Sequence, residues 1–281
     1  MKSLSLLFST LLLSTTLLFA QLETPQPSPL STVSQRVGMT DVTVTYSRPS
    51  ARERTVMGEL VPYDKVWRTG ANQATKVSLS DELSVAGNKV PAGDYALFTI
   101  PGKESWTVIF NKNTEQSGTG SYTQEEDALR VDVPVSATDD TYETFTIGFS
   151  DLSETKAKMY LAWENTKVAV PLEDPNVDQR VMAQIDEQMA SAGDNAGLYY
   201  QAANYYFTMD KDLPQAQEWI DKAVSLDDSK FWVLHLQAKI HAETEDYDKA
   251  RTAAQRSKEL AKENGNQDYV RLNDKLLESM N

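Results

Sequence analysis

The sequence predicts an α+β protein in two separate domains: an antiparallel, jelly-roll-like β-sandwich followed by an all-α, tetratricopeptide-like helical domain. Three observations support this fold class. Residues 31–170 contain about ten short runs of strand-forming side chains separated by Gly, Pro and Asn turns, without a helical pattern between them. After the segment PLEDP at residues 171–175, helix formers dominate. Small and apolar side chains then recur at a spacing of 34 residues.

The first 20 residues have the pattern of a secretory signal peptide. Lys2 gives a positive start, an apolar run extends from Leu4 to Phe19, and Ala20 precedes a polar stretch. A transmembrane anchor is disfavoured, because the run is shorter than the roughly 20 apolar residues that span a bilayer and contains hydroxyl side chains. We therefore expect a periplasmic or secreted protein whose residues 21–30 form a flexible, Pro- and Ser-rich leader.

The composition of the chain excludes several classes of function. It contains no cysteine, which excludes disulfides, thiolate metal sites, cysteine nucleophiles and a lipid-modified cysteine after the signal. Its 41 Asp and Glu residues outnumber its 27 Lys and Arg residues, so the net charge is −14. Because binding to nucleic acid phosphates requires positive charge, nucleic acid is not an expected partner.

The predicted β-sandwich occupies residues 31–172. Val42, Val44 and Tyr46 alternate with threonines and predict a half-buried strand. After a long insert, further strand runs are predicted at Ala74–Ser80, Leu83–Val85, Tyr95–Ile100, Trp106–Phe110, Leu129–Val135, Tyr142–Phe149, Ala157–Trp163 and Lys167–Val170. Gly87-Asn88 favours a tight hairpin turn, and Trp106 and Trp163 are expected in the core.

The predicted helical domain occupies residues 176–281. Its 34-residue repeat relates Ala216, Ile220, Ala223 and Leu226 to Ala250, Ala254, Ser257 and Leu260. This period is typical of tetratricopeptide repeats, which stack helix pairs around a concave surface. A helix from Val177 and a last helix at Gln267–Met280 would cap the two repeats. We expect a peptide or protein partner on this surface.

The insert between Tyr46 and Asn72, YSRPSARERTVMGELVPYDKVWRTGAN, is the predicted site region. Guanidinium groups bind carboxylate and phosphate through two parallel hydrogen bonds, and aromatic faces stack on sugars. The candidate ligand-binding residues are Arg48, Arg52, Tyr63, Trp67, Arg68 and Asn72. Alternatively, the arginines, including Arg54, pair with acidic neighbours and fasten the insert onto the sandwich; these neighbours are Glu53, Glu59 and Asp64.

Residues for catalysis are scarce in the predicted β-sandwich. Both histidines, His235 and His241, fall in the helical part, so nucleophilic triads and His-ligated metal sites are excluded from residues 31–172. No phosphate-binding loop is present, and neither a metal nor a cofactor is expected. These absences favour a binding protein over an enzyme. One alternative is a glycan-directed hydrolase that uses two carboxylates among Glu53, Glu59, Asp64, Asp81 and Glu82. Another is a structural role in envelope assembly.

Short motifs in and after the insert suggest a family. They are Tyr46-Ser-Arg-Pro49, Gly58, Leu60-Val-Pro-Tyr63, Val66-Trp-Arg-Thr-Gly-Ala-Asn72, Pro91-Ala-Gly93-Asp-Tyr95, Phe98-Thr-Ile-Pro-Gly102 and Trp106-Thr-Val-Ile-Phe110-Asn111. Through them, residues 31–172 closely resemble the bacterial domain of unknown function 2911 family, which is common in exported proteins of the Bacteroidetes type. Members with a helical repeat tail are also similar. The family tends to have Trp-Gly where this chain has Ser117-Gly118.

The resemblance implies an exported, β-rich domain, and it assigns neither an activity nor a catalytic residue. Together with the insert, it leads us to expect non-catalytic binding in the cell envelope. The expected ligand at the insert is a small anionic or carbohydrate-like molecule or an envelope protein.

Overall fold

A computed structural model describes residues 24–280 of the protein. The predicted signal peptide lies outside these residues. The chain divides between Pro175 and Asn176 into two compact units. The first unit is built of antiparallel strands and the second of helices, which confirms the predicted α+β class.

The described part of the first unit contains nine strands in one antiparallel sheet, in the order β1-β2-β3-β6-β7-β8-β9-β4-β5. Most neighbours in the sheet are also consecutive in sequence; short turns connect some of them, whereas long segments connect β2 to β3 and β7 to β8. The bounds are β1 Leu30–Val37, β2 Thr40–Ser47, β3 Ala71–Leu79, β4 Leu83–Val85, β5 Asn88–Val90, β6 Gly93–Pro101, β7 Ser105–Asn111, β8 Asp127–Ser150 and β9 Lys156–Glu173.

Strands β8 and β9 are longer than the sequence pattern indicates. Each replaces two predicted runs with one continuous strand of 24 and 18 residues, respectively. The first part of β8 pairs with β7, up to Pro134 opposite Ser105, and the part from Val135 onward pairs with β9. Register shifts after Ala137 interrupt the alternation of side chains, which explains why the pattern looks like two strands. Through β8 the sheet folds over into two halves.

The two halves of the sheet enclose one core, as expected for a sandwich. Trp106 and Trp163 have exposed fractions of 0% and 1%, which confirms the prediction that both are core residues. The predicted alternation in β2 is also confirmed, because Tyr46 is buried together with the valines of that strand. The Tyr46 hydroxyl donates to the Ile147 carbonyl oxygen at 3.1 Å and accepts from the Ile147 amide at 2.8 Å. These bonds join β2 to the opposite half of the sheet.

The Arg-rich insert connects the adjacent strands β2 and β3 and is built from turns. Left-handed backbone conformations occur at Arg52, Glu53, Asp64 and Thr69, with φ between 52° and 62°. Gly70 has a φ of 149°, and a Cβ atom there would lie 3.0 Å from the Ser47 carbonyl oxygen. Glycine is therefore required where the insert returns to the end of β2.

The second unit contains six helices within the described residues. Their bounds are α1 Val177–Met189, α2 Ala196–Thr208, α3 Leu213–Leu226, α4 Phe231–Glu243, α5 Tyr247–Glu263 and α6 Gln267–Ser279. Helices α3 and α5 begin 34 residues apart, and each is capped by an aspartate, Asp212 or Asp246, that accepts from the backbone amide three residues later. Seven of the eight predicted repeat positions are buried, namely Ala216, Ile220 and Ala223 in α3 and Ala250, Ala254, Ser257 and Leu260 in α5, whereas Leu226 is half-buried.

The two histidines of the helical unit have separate structural partners. His241 has an exposed fraction of 1%, and its Nε2 lies 2.9 Å from Asp221 Oδ1. His235 Nδ1 lies 2.8 Å from Asn273 Oδ1, and burial lowers the pKa of this imidazole. Within residues 24–280, no cluster of three His, Cys, Asp or Glu side chains is arranged to hold a metal ion. In the same range, no helix combines the length and hydropathy needed to cross a membrane.

Candidate functional site

A cavity of about 450 Å³ opens beside the Arg-rich insert, and we call it the arginine cavity. Its size falls within the usual range for small-molecule sites. Three guanidinium groups, two tryptophans and several apolar side chains surround it. The lining residues are Pro27, Ser28, Pro49, Ser50, Arg52, Arg54, Leu60, Val61, Val66, Trp67, Arg68, Gly70, Ala71, Thr119 and Trp163. Among residues 24–280, neither a carboxylate nor a histidine belongs to this lining.

Most arginines of the insert are held by backbone carbonyl groups. Arg54 donates from Nε to the Ala51 carbonyl at 2.8 Å and from Nη2 to the Ser50 carbonyl at 2.8 Å. Arg48 donates from Nε to the Phe145 carbonyl at 3.2 Å and from Nη2 to Thr146 Oγ1 at 2.8 Å. These acceptors are neutral, so the bonds fix the side chains without cancelling their charge.

Arg68 differs from the other arginines of the insert. Its side chain is half-buried, and its Nε lies out of contact with water without a hydrogen-bond partner in the described part of the chain. Gly118 lies close to it, since a Cβ atom at that glycine would sit 3.5 Å from Arg68 Nη1. The loop with Ser117-Gly118 therefore borders this guanidinium. A buried donor without a partner costs about 1–3 kcal/mol.

An aromatic cluster forms the floor of the arginine cavity. The Trp67 ring is stacked on Trp163 with a centroid distance of 5.8 Å and an interplanar angle of 21°. The Trp67 ring also makes edge-to-face contacts with Phe145 and Trp106, at centroid distances of 5.0 Å and 6.1 Å. Its Nε1 donates to the Gly70 carbonyl at 3.2 Å. Trp67 thus offers a fixed, half-buried apolar surface to the cavity.

The structure brings three of the six predicted site residues to the cavity, namely Arg52, Trp67 and Arg68. The other three lie outside its lining. Arg48 is bonded as described above, and Tyr63 packs over Gly58, where a Cβ atom would lie 2.8 Å from Tyr63 Cε2. Asn72 Nδ2 donates to Ser47 Oγ at 3.3 Å.

Sequence reasoning missed some lining residues. Arg54 could have been included, because it belongs to the same cluster as Arg52. The side chain of Trp163 was expected in the core, where it is indeed buried, while it also reaches the cavity. No sequence signal marks Pro27 and Ser28 as lining residues.

The acidic neighbours do not pair with the arginines as the alternative interpretation expects. Within residues 24–280, no ion pair joins a carboxylate to Arg48, Arg52, Arg54 or Arg68. The one carboxylate contact of these residues is to a backbone amide, where Arg52 N donates to Glu143 Oε1 at 2.8 Å. Within the described part of the chain, the guanidinium charges at the cavity are therefore not neutralised by a carboxylate.

The Pro-rich segment before β1 covers one side of the insert. Arg52 Nη2 donates to the Pro27 carbonyl at 2.9 Å, and Arg48 N donates to the Pro29 carbonyl at 2.9 Å. Asn72 Nδ2 lies 3.5 Å from the Ser28 carbonyl oxygen. Three consecutive carbonyl groups of this segment thus face donors of the insert.

Comparison with known proteins places the fold and this insert in one family. The model of a family described as "Protein of unknown function (DUF2911)" matches residues 28–172, which include nearly all of the arginine cavity. The match covers more than half of the chain, and the protein belongs to this family. No curated protein and no solved structure matches the chain.

Proposed function

We propose that this member of the DUF2911 family binds a small anionic molecule in the arginine cavity of its β unit and catalyses no reaction there. The observation that carries the proposal is the buried, unpartnered Nε of Arg68, within the described residues, at a cavity without carboxylates. A carboxylate or phosphate oxygen accepts from guanidinium groups in charge-assisted bonds, which offset the cost of burying Arg68.

The lining of the cavity also defines the rest of the ligand. Trp67, Leu60 and Val66 supply apolar surface, so the ligand carries an apolar or planar part next to its anionic group. Glycan hydrolysis is disfavoured at this cavity, since that reaction needs two carboxylates on either side of one bond. Three guanidinium groups favour an anion over a neutral sugar.

The proposal is tested by thermal unfolding of the wild type with citrate, malonate, inorganic phosphate or benzoate at constant ionic strength. Glucose serves as the neutral comparison. At about a hundredfold excess over Kd, we expect an anion to raise the melting temperature by roughly 5–10 °C. Arg68→Met is expected to remove most of this rise. If no anion raises the melting temperature of the wild type, the proposal is wrong.

Arg48→Met is the matched control, because it removes the same charge from the same insert but from outside the cavity lining. Loss of its bonds to Phe145 and Thr146 is expected to lower the free energy of unfolding by about 1–3 kcal/mol. Arg68→Met is expected to cost little, because its Nε has no partner to lose among the described residues. Equal destabilisation by both changes would show that Arg68 has a structural role.

The proposal includes export to the cell envelope. Its support is the pattern of residues 1–20, with one lysine, an apolar run and Ala20 before a polar stretch. Sequencing the amino terminus of the protein from an envelope fraction is expected to give Gln21 as the first residue. Recovery of the chain with Met1 intact would contradict it.

For the helical unit, we propose tetratricopeptide-like repeats that present a surface to a peptide or protein. The support is the 34-residue offset between α3 and α5 and between their capping residues Asp212 and Asp246. Crosslinking in the envelope tests this partner: a defined protein crosslinked through the exposed Trp232 position, replaced by a photoreactive residue, is the expected result.

A further inference from the structure

We infer that residues 24–29, which we call the strap, are the resident partner of Arg52 at the wall of the arginine cavity and that an anionic ligand displaces them from Arg52. This inference rests on the proposed anion binding and adds a competitor within the chain.

The strap is held to the insert through its backbone carbonyl groups. Those of Pro27, Ser28 and Pro29 each face a donor of the insert, and Pro27 and Ser28 also line the cavity. Among the residues that the structure describes, the Pro27 carbonyl is the only hydrogen-bond partner of the Arg52 guanidinium. The strap therefore binds Arg52, the one exposed arginine of the cavity whose guanidinium group has no second hydrogen-bond partner among the described residues.

The composition of the strap suits a detachable segment. Its prolines at positions 25, 27 and 29 have no backbone N–H, so these residues can accept hydrogen bonds but cannot donate into the sheet. Regular pairing with β2 begins only at Leu30, opposite Ser47. Release of residues 24–29 would consequently leave every strand of the sheet intact.

A ligand anion and the strap compete for the same donor. A carboxylate or phosphate oxygen carries a negative charge that a carbonyl oxygen lacks, so a hydrogen bond to it from the guanidinium group also cancels the charge of Arg52. Binding therefore exchanges the bond from Arg52 to Pro27 for a bond to the anion.

A spin label can report the position of the strap, because the chain has no cysteine of its own. Gln26→Cys places a unique nitroxide at an exposed position next to Pro27. The matched control is Ala137→Cys, at an exposed position in β8 outside the cavity lining. Citrate and inorganic phosphate are titrated into the labelled full-length mature protein, and the melting temperature is recorded on the same samples.

We expect the spectrum of the label at position 26 to sharpen over the concentration range in which the melting temperature rises, while the spectrum of the label at position 137 does not change. If the melting temperature rises and the label at position 26 remains immobilised, the strap does not leave, and anion binding stands without it. If neither anion changes the melting temperature or the label, both proposals fail.

Two variants test in other ways whether the strap is bound through Arg52. Arg52→Gln is expected to sharpen the spectrum at position 26 without any anion, and an unchanged spectrum would contradict the role of Arg52. A chain that starts at Leu30, once its unfolding is shown to be cooperative, is expected to bind citrate on the order of tenfold tighter, since no competitor remains. Weaker binding would show that the strap is a wall of the site.

Discussion

Arg48 and Arg68 belong to one insert but have different environments. The Arg48 guanidinium bonds two acceptors on β8, whereas the buried Nε of Arg68 has none within the described residues. If the arginines served only to attach the insert to the sheet, the environment of Arg68 would bring no stability, because burying an unpaired donor is unfavourable. The difference between the two side chains is the basis for proposing a structural role for Arg48 and a ligand-binding role for Arg68.

Gly102 shows how tightly a single residue can be constrained in the turn between β6 and β7. A Cβ atom at this position would lie 2.5 Å from the backbone carbonyl oxygen of Ser105. Because a backbone atom cannot move aside as a flexible side chain can, Gly102→Ala is expected to lower the free energy of unfolding by about 1–3 kcal/mol. Urea denaturation followed by tryptophan fluorescence measures this change.

Gly120→Ala is the matched control, since a Cβ atom added there would have no described atom within 4 Å beyond its chain neighbours. We expect it to change the free energy of unfolding by no more than about 0.5 kcal/mol. Similar values for the two variants would contradict the steric explanation.

At the scale of single elements, the helices differ in how their amino termini are satisfied. Asp212 caps α3 by accepting from the Gln215 amide at 3.0 Å. Lys230 stands at the same position of α4 with an extended backbone, but its side chain makes no capping bond. The first turn of α4 is therefore left without the side-chain acceptor that α3 and α5 have.

Removing the cap of α3 and introducing a cap at α4 should change the free energy of unfolding in opposite directions. Asp212→Ala is expected to lower the free energy of unfolding by about 0.5–2 kcal/mol, and Lys230→Ser to raise it by roughly 0.5–1 kcal/mol. Circular dichroism at the helix band during urea denaturation measures both. Asp194→Ala, which removes a charge from an exposed residue before α2, is the control and should have little effect. A loss of stability in Lys230→Ser would contradict the capping argument.

At the scale of the whole molecule, the division between Pro175 and Asn176 predicts two independent folding units. Each has its own buried cluster: one surrounds Trp106 and Trp163, and another surrounds Ile220 and Ile240. We therefore expect residues 24–175 and residues 176–281, produced separately, each to unfold cooperatively on heating. Calorimetry of the two fragments measures this. A fragment that melts without a cooperative transition would contradict the assignment of residues 31–172 and 176–281 as domains.

The sequence reveals most of the architecture because periodicity records burial. Alternation in β2 and the 34-residue repeat in α3 and α5 each reflect one face of an element packed against a core. The structure confirms the burial of the β2 positions and of every repeat position except Leu226, which is half-buried. The continuity of β8 was not predictable, since it depends on a change of pairing partner near Pro134 that leaves no signal in residue type.

The arginine cavity was only partly predictable for a related reason. The Arg cluster and Trp67 locate the region, because guanidinium and indole groups have a distinct chemistry. The actual partners of Arg48, Arg52 and Arg54 are mostly backbone carbonyl groups, which every residue possesses, so composition cannot identify them. Pro27 and Ser28 also contact the insert through backbone carbonyl groups, so their part in the cavity lining could not be predicted from the sequence either.

The position of β4 in the sheet has a consequence for the time course of folding. Strand β4 pairs with β5 and with the end of β9, where Ser84 lies opposite Glu173. The sheet consequently remains incomplete until the last residues of β9 have been synthesised, and the long separation along the chain makes this closure slow. A growing chain that ends before the last residues of β9 would leave β4 paired with β5 alone, with its other edge available to other strands.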